Sequence, residues 1–404
     1  LFSVGEKMEK IVFSDGDSIR VLDEGEEGTY ASQYIADYRE RMRRMVKNKE
    51  WKHSGMGAMF RGDTMSEVGM DSETRVDAYI NSVHAAGEDK VLYTFTVNQT
   101  SGVIEKTLSA KKDGERFILH TNDGELLSSD YNVTDGKFVA ELKRGEISSD
   151  LVLLDTERGD YVSITDGDSR DENPSFSKKR PGVILYDSLA AGRNARGEFV
   201  EYAPAAVYEY DLNTLDLKEI RASEKYSYIK PVEDENGDIY CIRKPAKERD
   251  RHNPVVEILL IPYRLLMAIV NFIQIFVVFF TGKTMTGGGN NPAKGRDTDS
   301  RQMIIRGNVI EVDKEIARNK KFKDKDLAFI PASWKLVRIR GGEEEEMKSG
   351  ICDFSLAEGG VVCTNGRKVF FLKEGKSEKI AEGELVLNVA TVTRAPESGD
   401  LFDL

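Results

Sequence analysis

The residue types that could carry chemistry are sparse in this chain and badly spaced for it. Four histidines, His53, His84, His120 and His252, are scattered with no pair at metal-ligand spacing, so each reads as a surface or turn residue. Gly282-Lys283-Thr284 matches the end of a phosphate-binding loop. That motif needs a glycine at position 277, which is Val277, and a strand before it, where an apolar run stands instead. No Gly-x-Ser-x-Gly elbow is present, which removes the usual signature of an α/β-type serine hydrolase. Asp166, Asp168, Asp171 and Glu172 form the densest acidic cluster, but it lacks the regular alternation and closing glutamate of a calcium loop. The acidic run 234–238 reads as a turn between strands, and Glu343–Glu346 as a solvated acidic turn. The mixed-charge stretch 319–325 reads as exposed. On these grounds the sequence assigns no catalytic residue, no metal and no cofactor.

Composition narrows the class further. The 404 residues carry a net charge of −12, which weighs against nucleic acid as a partner because phosphate binding needs concentrated Lys and Arg. Three cysteines, Cys241, Cys352 and Cys363, lie far from metal-type spacing. They suggest no disulfide framework and weakly favour a reducing compartment. The 32% charged and 40% hydrophobic fractions suit a solvated body with a substantial core.

The elements that would position any site are short β-rich runs divided by turn residues. Residues 10–22 read as strand, Asp-Gly turn, strand. Residues 91–108 and 115–142 continue the alternation, broken at Asn122-Asp123-Gly124 and Thr134-Asp135-Gly136. Between 150 and 244 one order recurs: an apolar strand ending in Asp, a turn, a second strand, a Pro-led strand, a Gly turn and a fourth strand. A period of about 40–50 residues is the signature of propeller blades. Residues 151–155, Thr165-Asp166, 174–177 and 183–188 form one such repeat. Residues 207–211, Thr214, Pro231 and 239–242 form the next, and 349–380 fit a further one more loosely.

These residues resemble the TolB-like β-propeller family, with Lys178-Lys179-Arg180-Pro181-Gly182 replacing that family's usual Ser-Pro-Asp-Gly turn. The resemblance implies an all-β propeller, six-bladed as the best count with five or seven open. It also implies an interaction platform more than an enzyme. Blades are expected over 1–244 and again over 301–404, where the ring closes.

Two insertions interrupt the β pattern. Over 30–52, Ile35, Tyr38, Met42, Met45 and Val46 fall at helical spacing among Arg39, Arg41, Arg43, Arg44 and Lys47, which predicts a surface helix with a basic outer side. The second insertion, 245–300, contains the apolar stretch 255–280 followed by a Gly/Asn-rich linker. Pro262 should kink it, and Glu257, Arg264, Ala268, Asn271 and Gln274 share one third of the helical circumference.

A closed ring puts both flanks of that stretch on one side of any bilayer, which argues against a lone crossing. Residues 244–301 hold nine basic and five acidic residues, so local positive charge lies at both ends. The expectation is a monotopic or peripheral anchor on an anionic surface, with the cytoplasmic side weakly favoured. The alternative is a protein–protein interface, in a larger complex or a homo-oligomer. The expected contact residues are Leu259, Leu260, Leu265, Leu266, Ile269, Phe272, Ile273, Phe276, Phe279 and Phe280, flanked by Arg249, Arg251 and Lys283. The chain thus reads as a non-catalytic, membrane-associated scaffold or recognition module. An enzyme with its site in the central channel remains as the rival from a different class.

Overall fold

The computed structural model describes residues 10–23, 25–50, 78–87, 89–110, 114–246, 302–305, 308–322 and 326–391. Within them the strands form six antiparallel sheets of four strands, the fourth with one strand added, and a separate hairpin; the third and fourth sheets are joined by one parallel bridge between Ser149 and Arg170. The first sheet holds β1 (Ile11–Asp15), β2 (Ser18–Asp23) and β3 (Glu26–Ala31), and α1 (Gln33–Glu50) follows it. The second holds β4 (Ala78–Ala85), β5 (Lys90–Val97), β6 (Thr100–Thr107) and β7 (Glu115–Thr121). The third holds β8 (Glu125–Asn132), β9 (Lys137–Lys143), β10 (Ser149–Asp155) and β11 (Tyr161–Ser163). In the fourth, β12 (Ser169–Phe176), β13 (Val183–Arg193), β15 (Ala206–Asp211) and β16 (Leu217–Arg221) pair in order, with β14 (Phe199–Tyr202) added along β13. The fifth is β17 (Tyr226–Glu233), β18 (Ile239–Pro245), β21 (Lys335–Arg340) and β22 (Glu343–Ser349). Its excursion returns through the hairpin of β19 (Gln302–Ile305) and β20 (Asn308–Glu311) and then α2 (Val312–Asn319). The sixth is β23 (Asp353–Ala357), β24 (Gly360–Thr364), β25 (Gly366–Lys373) and β26 (Lys376–Val386).

The last strand closes the ring. β27 (Val389–Thr391) returns to pair with β1, opposing Ile11 to Thr391, Val12 to Ala390 and Phe13 to Val389. This gives the first sheet its fourth strand from the far end of the chain and leaves no open edge between start and finish. The boundary between the third and fourth sheets falls inside the sequence repeat, after β11. The Pro-led strand therefore opens a sheet instead of continuing one.

Alternation and turn chemistry explain the strands locally. β10 buries Ser149, Leu151, Val152 and Leu154 while Asp155 faces water, the pattern of a half-covered strand. β5 (KVLYTFTV) is buried along almost its whole length, as β-branched and aromatic residues in a central strand should be. Tight hairpins need left-handed residues at the bend. Asn98 (φ 54°) supplies one between β5 and β6, and Gly341 (φ 57°) with Gly342 (φ 89°) joins β21 to β22. Cores lie between neighbouring sheets. Trp334, 1% exposed, packs with Ile242, Leu336, Ile330 and Phe354, and Phe13 with Val369, Val386 and Val389.

The expected helix near residue 35 is α1. The Glu115 carboxylate accepts the N–H groups of Gln33 (2.9 Å) and Tyr34 (3.0 Å), and Ser32 Oγ accepts that of Ile35. These contacts satisfy donors that a helix start leaves free. Tyr34 and Ile35 hold it on the second sheet, Tyr34 lying 4.8 Å from the Phe95 ring. Its apolar face is shorter than its spacing predicted, because Met45 is 49% exposed.

Two expectations about charge are corrected. Glu343–Glu346 is not a turn but the start of β22, where Glu344 and Glu346 pair with Arg243 and Glu346 also with Lys335. Cross-strand cations let four successive glutamates occupy an outer strand. Asn319, expected to be exposed, is 4% exposed and donates to the carbonyls of Ala328 and Ile330, both at 2.8 Å. Lys320, Lys321 and Phe322 beyond it are exposed as expected.

The apolar stretch 255–280 lies outside the described residues. The described chain stops at Ala246 and resumes at Gln302. β18 and β21 are antiparallel neighbours with Arg243 opposite Lys335, so the chain leaves this sheet and re-enters it beside its point of departure.

Candidate functional site: the axial cavity

The first strand of each sheet faces the centre, because the sheets pack around an axis with β4 beside β8, β8 beside β12, β12 beside β17 and β23 beside β27. Together these strands enclose a cavity of about 470 Å³. Its walls include Ser82 and His84 from β4, Ser129 and Asp130 from β8, Asn173 and Ser175 from β12, and Lys230 from β17. Asp353 of β23 and Asn388 with Thr391 at β27 complete the circle.

Local backbone irregularity aims these side chains. Four inner strands shift register against their neighbours at comparable places: Ile80/Ser82, Leu126/Ser129, Glu172/Ser175 and Ile229/Val232. A bulge re-aims the side chains around it. In two cases the bulged residue precedes a proline and takes a left-handed backbone: Asn173 (φ 50°) before Pro174 and Lys230 (φ 53°) before Pro231. Non-glycine residues held there usually mark a constrained, purposeful position.

Asp187 holds both bulges. Its Oδ1 accepts Asn173 Nδ2 (2.9 Å) from the same sheet and the Lys230 backbone N–H (2.8 Å) from the next. Asp187 is wholly buried. The Lys230 ammonium then pairs with Asp353, whose other oxygen accepts Val389 N–H at 2.8 Å. On the opposite wall His84 Nε2 meets Ser129 Oγ at 2.9 Å, and Asp130 Oδ2 accepts Phe176 N–H at 2.8 Å. Polar contacts therefore cross from the second sheet to the third, third to fourth, fourth to fifth, fifth to sixth, and sixth back to the closing strand.

Burial sets the protonation of two groups. His84 is pulled down to about 4, chiefly by desolvation, with Asp130 and Asp353 opposing and Lys230 reinforcing. It is neutral at pH 7. Glu141 of β9, 3% exposed, is pushed up to about 8 by burial and then by neighbouring Glu172. Ser128 Oγ donates to Glu141 Oε2 at 2.6 Å and in turn accepts Asn173 N–H at 2.8 Å, tying this carboxyl to the cavity wall.

The sequence-expected contact residues Leu259, Leu260, Leu265, Leu266, Ile269, Phe272, Ile273, Phe276, Phe279, Phe280, Arg249, Arg251 and Lys283 all lie outside the described residues. Among the described residues no helix is long and apolar enough to cross a membrane. No group of acidic, His or Cys side chains among them is arranged to hold a metal ion. Three members of the acidic cluster are tied up in local bonds: Asp168 pairs with Arg193, Glu172 with Arg170, and Asp171 accepts Ser169 and Ser188.

Of the four histidines, His84 departs from the expectation of a surface or turn residue, since it stands on β4 in the cavity wall. His120, on β7, is exposed; His53 and His252 lie outside the described residues. Sequence reasoning also missed Ser129, Asp187, Lys230 and Asp353. Only the X-Pro steps at 173–174 and 230–231 offered a signal, as recurring places where a strand bends.

No family model matches the chain, and no curated protein is significantly similar to it in sequence. Among solved structures it aligns with TolB from Acinetobacter baumannii over 95% of its own length and 66% of that chain, at 8% identity and a TM-score of 0.47. A chain of a nidogen/laminin complex aligns over 95% of this chain and 97% of its own, at 6% identity and a TM-score of 0.48. Tricorn protease aligns over 96% of this chain and 36% of its own, at 12% identity and a TM-score of 0.43. The strand pairing carries the assignment: four-stranded antiparallel sheets set around an axis and sealed between the first and last strands give this chain a β-propeller fold.

Proposed function

We propose that this protein is a recognition module that receives a partner protein in its axial cavity while residues 255–281 hold it to an anionic membrane surface. The observation that carries the first half is the cavity itself, about 470 Å³ and lined from all six inner strands. Both of its lysines are satisfied within the wall, Lys230 by Asp353 and Lys178 by the Leu356 carbonyl at 3.2 Å. The rest of the lining is rich in hydroxyl and amide groups, among them Asn132, Thr134, Ser355 and Asn388, and such a wall suits an extended polypeptide more than a compact ion. The second half rests on the composition of 255–280, the basic residues on both sides of it, and the return of the chain beside its exit point. The competing occupant of that stretch is another protein surface.

Two measurements test the proposal. A photo-crosslinking residue at Thr134, in the cavity wall, should capture the partner, whereas one at Leu217, exposed on β16, should not. Equal capture from both positions would overturn the cavity assignment. Flotation with vesicles containing anionic lipid should carry the wild type and fail for a chain lacking residues 255–281 or carrying Phe272→Glu with Phe276→Glu. Unchanged flotation of either variant would remove the membrane role. A stable oligomer that forms without lipid and dissociates in the same variants would replace that role with the interface reading.

A further inference from the structure

Partner recognition makes no use of one arrangement in the cavity wall. We propose that Ser129 is an activated nucleophile, with His84 as its base, that accepts the acyl group of a small carboxylic ester entering the axial cavity. The pair joins two sheets: Ser129 lies at the bulge of β8 and His84 on β4, with Oγ and Nε2 2.9 Å apart. Both residues are partly exposed and line the cavity.

A directional chain of hydroxyls feeds this contact. The Asp130 carboxylate stands 3.9 Å from His84 Nδ1 and favours the tautomer with its proton on that nitrogen, which leaves the Nε2 lone pair for Ser129. Ser129 then donates to Nε2, and its oxygen accepts from Ser82, whose own oxygen contacts Thr94 at 2.8 Å. Nucleophile, base and orienting carboxylate are the parts needed for acyl transfer, and they are recognised by geometry and not by sequence order. At 3.9 Å, Asp130 acts as a positioning charge and not as a hydrogen-bonded partner.

The chemistry balances without a further reagent. Ser129 Oγ attacks the ester carbonyl as its proton passes to His84 Nε2. The bond to the leaving alcohol oxygen breaks, and Nε2 returns the proton to that oxygen, leaving the acyl group on Oγ. Water then adds to the acyl-enzyme, giving its proton to Nε2, and the carboxylic acid departs as Oγ recovers the proton.

His84 faces Asp130 and Ser129 from β8, Lys230 from β17 and Asp353 from β23, with the Phe138 ring edge-on at 5.8 Å. Burial among these keeps it neutral, and so able to accept a proton, throughout the neutral range. So weak a base makes the attack slow, and covalent labelling is therefore the appropriate readout.

The test is reaction of the full chain with a fluorophosphonate probe, followed by intact mass and peptide mapping. One adduct at Ser129 is expected on the wild-type protein, with no need of a variant that folds. Ser129→Ala should lose that adduct, and His84→Gln should label at least tenfold more slowly. The wild-type rate should stay level from pH 9 to about 5 and fall below it, a profile that a purely structural His84 would not produce. The proposal is overturned by a wild-type chain that stays unmodified at Ser129 while a known serine hydrolase labels fully. Labelling indifferent to His84→Gln overturns it equally. Neither result bears on partner capture at Thr134, so the two assignments fail separately.

Discussion

Lys230 and Asp353 meet across the axial cavity as an ion pair, joining the fifth sheet to the sixth, and Asp353 also accepts the Val389 N–H of the closing strand at 2.8 Å. Asp353 is 1% exposed, so its charge has little solvent to rely on. One carboxylate thus fastens the place where the end of the chain returns to its beginning.

Removing that carboxylate should loosen the closure. Asp353→Ala leaves the Lys230 ammonium and the Val389 amide without this acceptor, and breaking a buried pair on one side costs about 3–5 kcal/mol. A urea midpoint lowered accordingly, with faster hydrogen exchange at residues 11–13 opposite β27, is expected. An unchanged midpoint would show that the seal does not depend on this contact.

Glu141 gives the folded state an alkaline weakness. Its carboxyl is raised to about 8, so between its ordinary range and pH 8 the folded chain binds more protons than the unfolded one. Stability then falls as pH rises through that window and levels off above it. Glu141→Gln keeps a carbonyl acceptor for Ser128 and removes the titration. Its advantage over the wild type should grow from pH 5 to pH 8, to about 2 kcal/mol or more, as read from denaturation midpoints at the two pH values.

His84 has the opposite sign. It is lowered to about 4, so below pH 6.5 the unfolded chain takes up the proton that the folded chain refuses. Stability is present above pH 6.5, drains away as pH falls towards 4, and is level below that. A loss of about 2–3 kcal/mol is expected, because the side chain keeps 14% exposure and complete burial would give somewhat more. His84→Asn should flatten the acid limb of the stability profile. An imidazole NMR titration midpoint near 6.5 in the folded protein would contradict the assignment.

The two-glycine bend between β21 and β22 should be intolerant of side chains. Gly341 and Gly342 both sit at positive φ, with open space where a Cβ would stand, so the cost is backbone strain and not collision. Gly342→Val should lower stability by about 1–2 kcal/mol, measured by thermal or chemical unfolding, and Gly342→Asn by clearly less.

Much of the architecture was readable in the one-dimensional pattern because strands and turns are local physics. Alternation in 10–22, 91–108 and 115–142, the Asx-Gly bends and the recurring Pro-led strand each depend on neighbours a few residues away, and β1, β2, β5 to β13 and β15 to β18 follow them, while β3, β4 and β14 gave no such signal. Helical spacing near residue 35 likewise located α1, although it overextended the buried side to Met45. The run Glu343–Glu346 reads as a turn because its cations, Arg243 and Lys335, come from other strands of the sheet, one of them about a hundred residues earlier.

The cavity was a matter for the tertiary structure alone. His84 and Ser129 are 45 positions apart, Lys230 and Asp353 are 123 apart, and nothing in either neighbourhood announces the other. Ring closure brings such residues together, and bulges then decide which side of each inner strand they occupy. A shift of one residue in an extended chain exchanges the two faces, so alternation can forecast a strand and still not say which of its side chains will look down the axis.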